Sequence, residues 1–174
     1  MCSDRRGFTL TELLVAVSVS MVVLGAAWPW LWIAGGTARR VDGRTQAATA
    51  AAFAARSLTT DVRLSTALLQ PPAGRSPAGC LCLQHRHPGE VPEAVLVVWD
   101  PARRVLWRKA SGSYLADHVE QFALEYFGAD GRVLQQADFA DPEWPGLVAR
   151  LRITIRVNHR GCTASAIRDI ALRS

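Results

Sequence analysis

The stretch GFTLTELLVA, residues 7–16, opens the most apolar part of the chain. It follows a short polar segment that ends in the basic pair Arg5-Arg6. Residues 13–34 carry no charge, and a helix of that length spans about 33 Å. Because the hydrocarbon core of a bilayer is about 30 Å thick, the sequence predicts a membrane-spanning helix near the N-terminus.

Glu12 is the one charged residue at the start of this apolar run. A carboxylate inside a membrane is costly unless it is paired or neutralised. The stretch resembles the type III signal of type IV prepilins and pseudopilins, with Thr11 where relatives usually carry Ile or Val. The resemblance implies that a prepilin peptidase cuts between Gly7 and Phe8 and methylates the new amino group of Phe8. It also implies an assembly role for Glu12, whose carboxylate would offset the buried amino group of a neighbouring subunit.

Other interpretations of the apolar segment remain open. An ordinary secretory signal peptide could be cut after the small residues 25–27, although Glu12 and the length of the run argue against it. A plain membrane anchor without a filament role and a buried core helix are further alternatives. Arg39 and Arg40 follow the span, so the positive-inside rule does not favour a cytoplasmic N-terminus. The processing motif does favour a cytoplasmic N-terminus, because the peptidase cuts on the cytoplasmic side of the membrane.

The apolar segment continues into a second helical pattern. Pro29 removes a backbone hydrogen bond, which predicts a kink in the helix. Ala51, Leu58 and Val62 then recur at helical spacing and predict an amphipathic stem. We therefore divide the chain into a leader peptide (1–7), a transmembrane and filament-core helix (8–34), an amphipathic stem helix (35–70) and a β-rich globular head (71–174).

The head changes to a period of two, which is typical of strands. The predicted strands are residues 94–99, 105–108, 119–127, 151–157 and 167–172. A long N-terminal helix packed on an antiparallel sheet is an α+β, pilin-like fold. Segments 115–126, 151–157 and 170–174 resemble minor pilins of the W/J type.

Length and charge set further bounds. A chain of 174 residues has room for one ordinary domain and an N-terminal extension. The formal net charge is +5, and Lys109 is the single lysine. A basic balance can favour nucleic acid, but the arginines are scattered along the sequence. The charge therefore predicts a solvated surface rather than a nucleic-acid partner.

The cysteines predict one disulfide. Removal of the leader takes Cys2 away and leaves Cys80, Cys82 and Cys162. In an oxidising compartment, an odd number of cysteines favours one disulfide bond and one remaining thiol. A disulfide from Cys80 or Cys82 to Cys162 is the simplest arrangement, and the sequence does not decide between the two.

A metal site is the competing interpretation of the same region. Thiolates and imidazoles are zinc ligands, and Cys80, Cys82, His85 and His87 lie within eight residues. The Cys-x-Cys spacing is poor for a structural zinc site, so we expect no metal and no other cofactor. No catalytic arrangement or phosphate-binding loop stands out either.

The resemblance implies a structural, non-enzymatic subunit that primes or joins a type IV pilus-like filament. Its partners would be the prepilin peptidase and other major and minor pilins or pseudopilins. It would cross the cytoplasmic (inner) membrane once, with a cytoplasmic N-terminus and an external head, before entering a filament or reaching the cell surface. A J-like pseudopilin of type II secretion and a DNA-uptake pilus subunit are the alternatives within this class. A single-pass binding module for DNA, metal or protein is the alternative outside it.

Overall fold

A computed structural model describes residues 9–86, 91–109 and 112–172. In these residues the chain forms one long helix followed by eight strands. The helix α1 spans Leu10–Leu64. The strands are β1 (Ser65–Leu69), β2 (Cys80–His85), β3 (Glu93–Asp100), β4 (Val105–Arg108), β5 (Ser113–Ala116), β6 (Val119–Gly128), β7 (Val148–His159) and β8 (Cys162–Ala171). Two short 3-10 helices, Asp138–Ala140 and Trp144–Leu147, lie between β6 and β7. The predicted α+β, pilin-like fold is confirmed.

The chain divides into two compact units, Met1–Asp42 and Gly43–Ser174. In the first unit the described residues are almost entirely helical, and all of them are exposed. This part of α1 is long and apolar enough to cross a membrane. The helix continues through Pro29, so the kink predicted there stays a prediction.

In the second unit, α1 buries one face against the sheets. The buried helical residues are Gly43, Ala47, Ala51, Ala54, Ala55, Leu58, Asp61 and Val62. Their spacing of three or four places them on one side of a helix. Most are small, so the backbone of α1 can come close to the strands that it covers. The apolar members form one core cluster with the inward side chains of both sheets, including Leu81, Val97 and Ile153.

The strands form two antiparallel sheets rather than the single sheet that we expected. One has the order β1-β2-β3-β4-β5, and the other has the order β6-β7-β8. The chain changes sheet between Ala116 and Val119, where His118 has a φ of 54°. This left-handed conformation is rare for a residue with a side chain, and it turns the chain out of the line of β5.

The five predicted strands are confirmed as β3, β4, β6, β7 and β8, whereas β1, β2 and β5 were missed. The predicted stem helix, residues 35–70, is wrong at its end because α1 stops at Leu64. The Ser65 hydroxyl donates to the Val62 carbonyl at 2.7 Å. Residues 65–69 then pair with β2, from Ser65↔His85 to Leu69↔Cys82. These ladder bonds outweigh the local helical pattern.

Candidate functional site

The start of α1 is closed by a reciprocal pair of hydrogen bonds between Thr9 and Glu12. The Thr9 backbone N–H donates to Glu12 Oε2 at 3.0 Å, and the Thr9 hydroxyl donates to the same oxygen at 2.9 Å. The Glu12 backbone N–H donates to Thr9 Oγ1 at 3.4 Å. This arrangement is a capping box, in which an N-cap Thr and a Glu three residues later satisfy each other's backbone groups.

The capping box places the Glu12 carboxylate beside the Thr9 N–H. Thr9 is the residue after Phe8 in the sequence. Gly7 and Phe8 themselves lie outside the described residues. Within the described part of the chain both hydrogen bonds from Thr9 use Oε2. Oε1 is thus available to a further donor, such as an amino group.

After the capping box, α1 presents apolar side chains around its whole circumference. Leu13 is 59% exposed and Val22 is 71% exposed. A helix that is apolar on all sides is normally buried in a large core or in a membrane. The segment therefore needs lipid or other helices around it, and the carboxylate of Glu12 would enter that apolar environment with it.

Residues 2–28 match the family model described as the prokaryotic N-terminal methylation motif. The chain is a type IV prepilin-like protein. The motif implies processing by a prepilin peptidase, and with the apolar helix it indicates anchoring in the inner membrane. As a pilin-like protein the chain is structural rather than enzymatic. No curated protein matches the chain.

The structure places the cysteines in different sheets. Cys80 and Cys82 carry free thiols on β2, and burial raises the pKa of both. Cys162 begins β8, and its Sγ lies 3.3 Å from the position that a Cβ on Gly43 would occupy. The expected disulfide from Cys80 or Cys82 to Cys162 is not formed in this structure. Its formation in the assembled protein stays a prediction.

Three residues of the alternative metal site lie on β2, and they are divided between its two faces. Side chains alternate along a strand, so Cys80 and Cys82 lie on one face of β2 and His85 on the other. His85 Nε2 is 2.9 Å from the Asp61 carbonyl oxygen on α1. Among the described residues no group of three metal-ligating side chains converges. His87 lies outside them.

Sequence reasoning missed an ion pair between a buried acid on α1 and the half-buried Arg108 on β4. Asp61, 5% exposed, accepts a hydrogen bond from the Arg108 guanidinium. A charged residue is expected on the polar side of an amphipathic stem, yet Asp61 follows Leu58 by three residues and lies on the buried stripe. The helical spacing indicates that Asp61 is buried, whereas its charge favours an exposed position. Arg108 could not be recognised as its partner because it is distant in sequence.

Proposed function

We propose that this prepilin-like chain is a minor pilin or pseudopilin of the W/J type. Its leader would be removed between Gly7 and Phe8, and Phe8 would be N-methylated. The subunit would then prime or join a type IV pilus-like filament. The match of residues 2–28 to the methylation motif is the observation that carries this proposal. The resemblance of segments 115–126 and 151–157 to W/J-type subunits supports the narrower assignment.

Two systems would use such a subunit. A J-like pseudopilin would serve type II secretion, whereas a pilus subunit of the other kind would serve DNA uptake. Genes for a secretin and an assembly ATPase beside this one would separate these systems. A single-pass binding module without a filament remains the alternative from another class, and it predicts that the chain stays in the membrane fraction.

Glu12 supplies the physical step of assembly in this proposal. When the subunit enters the apolar filament core, the Glu12 carboxylate loses its hydrating water and would be an unpaired charge. The amino terminus of a neighbouring subunit loses its hydrating water in the same way. Pairing the two offsets both losses, whereas removal of one partner leaves the other charge buried alone. The uncommitted Oε1 of Glu12 supports this role.

The capping box provides a sharp test of that step. Glutamine at the third helical position also completes a capping box, so Glu12→Gln removes the charge and keeps the helix start. Thr9→Val keeps the Glu12 charge and removes the hydroxyl group of the capping box. We expect Glu12→Gln to lower incorporation into the purified filament fraction by at least about a hundredfold, since an unpaired buried charge costs roughly 3–5 kcal/mol.

Incorporation is measured by immunoblot of filaments and membranes from the native host. Thr9→Val is the matched control and should enter filaments at near the wild-type level, because it retains the carboxylate. If Glu12→Gln assembled as well as wild type, the charge pairing would be rejected. If the wild-type chain never left the membrane fraction, the filament role would be rejected too.

A further inference from the structure

Four side chains form a row across the five-stranded sheet. The strand register places Cys80 opposite Val98, Val98 opposite Trp107, and Trp107 opposite Tyr114. The neighbouring residues Leu81, Val97 and Leu106 belong to the core cluster under α1. Because side chains alternate along strands, the row from Cys80 to Tyr114 lies on the sheet face that points away from that core. We call it the outer row.

The outer row ends in two aromatic rings that contact each other at a tilt. The ring centroids of Trp107 and Tyr114 are 3.9 Å apart, and the ring planes are inclined by 33°. Tyr114 is 61% exposed. An exposed aromatic ring that is held in place by a second ring offers a flat apolar surface to a ligand.

A cleft of about 530 Å³ lies beside Trp107, the inner ring of this pair. Val98 and Trp107 of the outer row line it, together with Arg75 from the loop before β2 and Lys109 after β4. Small-molecule and cofactor sites typically have volumes of about 300–1,000 Å³. The cleft is thus large enough for one nucleotide unit and larger than a single inorganic anion needs.

Two cations in the cleft have no carboxylate partner among residues 9–86, 91–109 and 112–172. Arg75 and Lys109 both lie close enough to the Cys80 thiol to affect its pKa, which burial raises and these two cations lower. The acid at the rim, Asp100, has a cation of its own outside the cleft lining, because its Oδ2 lies 3.8 Å from Arg103 Nε. Its Oδ1 accepts the backbone N–H groups of Ala102 at 3.0 Å and Arg103 at 3.1 Å. The cleft therefore carries an excess of positive charge.

We propose that this cleft binds single-stranded nucleic acid, with a backbone phosphate between Arg75 and Lys109 and a base stacked on Tyr114. Proteins that bind single strands combine a cationic groove with aromatic rings on which bases stack. An acidic peptide would satisfy the two cations but leave the exposed ring without a partner. This site goes beyond the proposed filament role and does not depend on it.

The test measures binding of a fluorescein-labelled oligothymidylate of about 12 nucleotides. The full chain is used in neutral detergent micelles, and binding is followed by fluorescence anisotropy. We expect Arg75→Glu and Lys109→Glu each to weaken binding by at least about tenfold. Tyr114→Ala should weaken it by about 5- to 150-fold, the range for loss of one stacked base. Tyr114→Phe keeps the ring and should bind like wild type.

Arg168→Glu is the matched charge control, because Arg168 is exposed on β8 in the other sheet. It should leave binding unchanged. If Arg168→Glu weakened binding as much as Arg75→Glu, the attraction would be a property of the net charge and the site would be rejected. Absence of oligothymidylate binding, or equal competition by an oligoglutamate peptide, would also reject it. Circular dichroism of each variant shows whether the fold is retained.

Discussion

Asp61 is the buried charge in the described part of the molecule, and its pairing is incomplete. Arg108 donates to Asp61 Oδ1. Asp61 Oδ2 and Arg108 Nε have no hydrogen-bond partner in the described residues. A buried pair of this kind contributes little net stability, yet loss of one member leaves an uncompensated charge. The pair therefore fixes the position of α1 over β4 more than it strengthens the fold.

We expect Asp61→Ala to lower the free energy of unfolding by about 1.5–3 kcal/mol, the range for a hydrogen bond to a charged group, because the half-buried Arg108 would lose its partner. Replacing both residues with apolar ones, Asp61→Leu with Arg108→Met, should cost much less than the single change. Urea unfolding of the full chain in detergent, followed by circular dichroism, measures both values. The exposed acid Glu143 offers a control, and Glu143→Ala should have little effect. A double variant less stable than Asp61→Ala would contradict this account.

At the scale of the element, the stem half of α1 depends on small residues on its buried face. Ala51 is 1% exposed, and its neighbour Ala52 is exposed. Added methylene groups in a packed core usually cost 1–3 kcal/mol. We expect Ala51→Leu to lower the free energy of unfolding by about this amount and Ala52→Leu to change it little. The same urea measurement compares them, and equal effects would contradict the packing described for α1.

The strands show which elements the sequence could predict. Residues 151–157 alternate strictly, so β7 was evident. β2 was missed because Cys80, Leu81, Cys82 and Leu83 are apolar on both faces and show no alternation. Ser65–Leu69 was assigned to the stem because Leu69 fits the helical spacing of Val62. Its strand conformation comes from pairing with β2, which is a long-range contact that no local pattern contains.

At the scale of the whole molecule, the site in the N-terminal motif could be predicted from the sequence, whereas the cleft in the head could not. The motif is local: Gly7, Phe8 and Glu12 lie within six residues, and the family match covers them. Arg75 and Lys109 are scattered in the sequence and lie together only because β2, β3 and β4 are paired. Sequence alone therefore indicated the processing site but gave no indication of the cationic cleft.

We propose that the chain as a whole is a precursor whose N-terminus is changed before it functions. Mass spectrometry of the intact protein, extracted from membranes of its native host, tests this most directly. We predict a chain that begins at Phe8 and carries one added methyl group, and a chain that keeps residues 1–7 in a strain without the prepilin peptidase. A chain that begins at Met1 in the unmodified host, or at Trp28 after cleavage by a signal peptidase, would contradict the account.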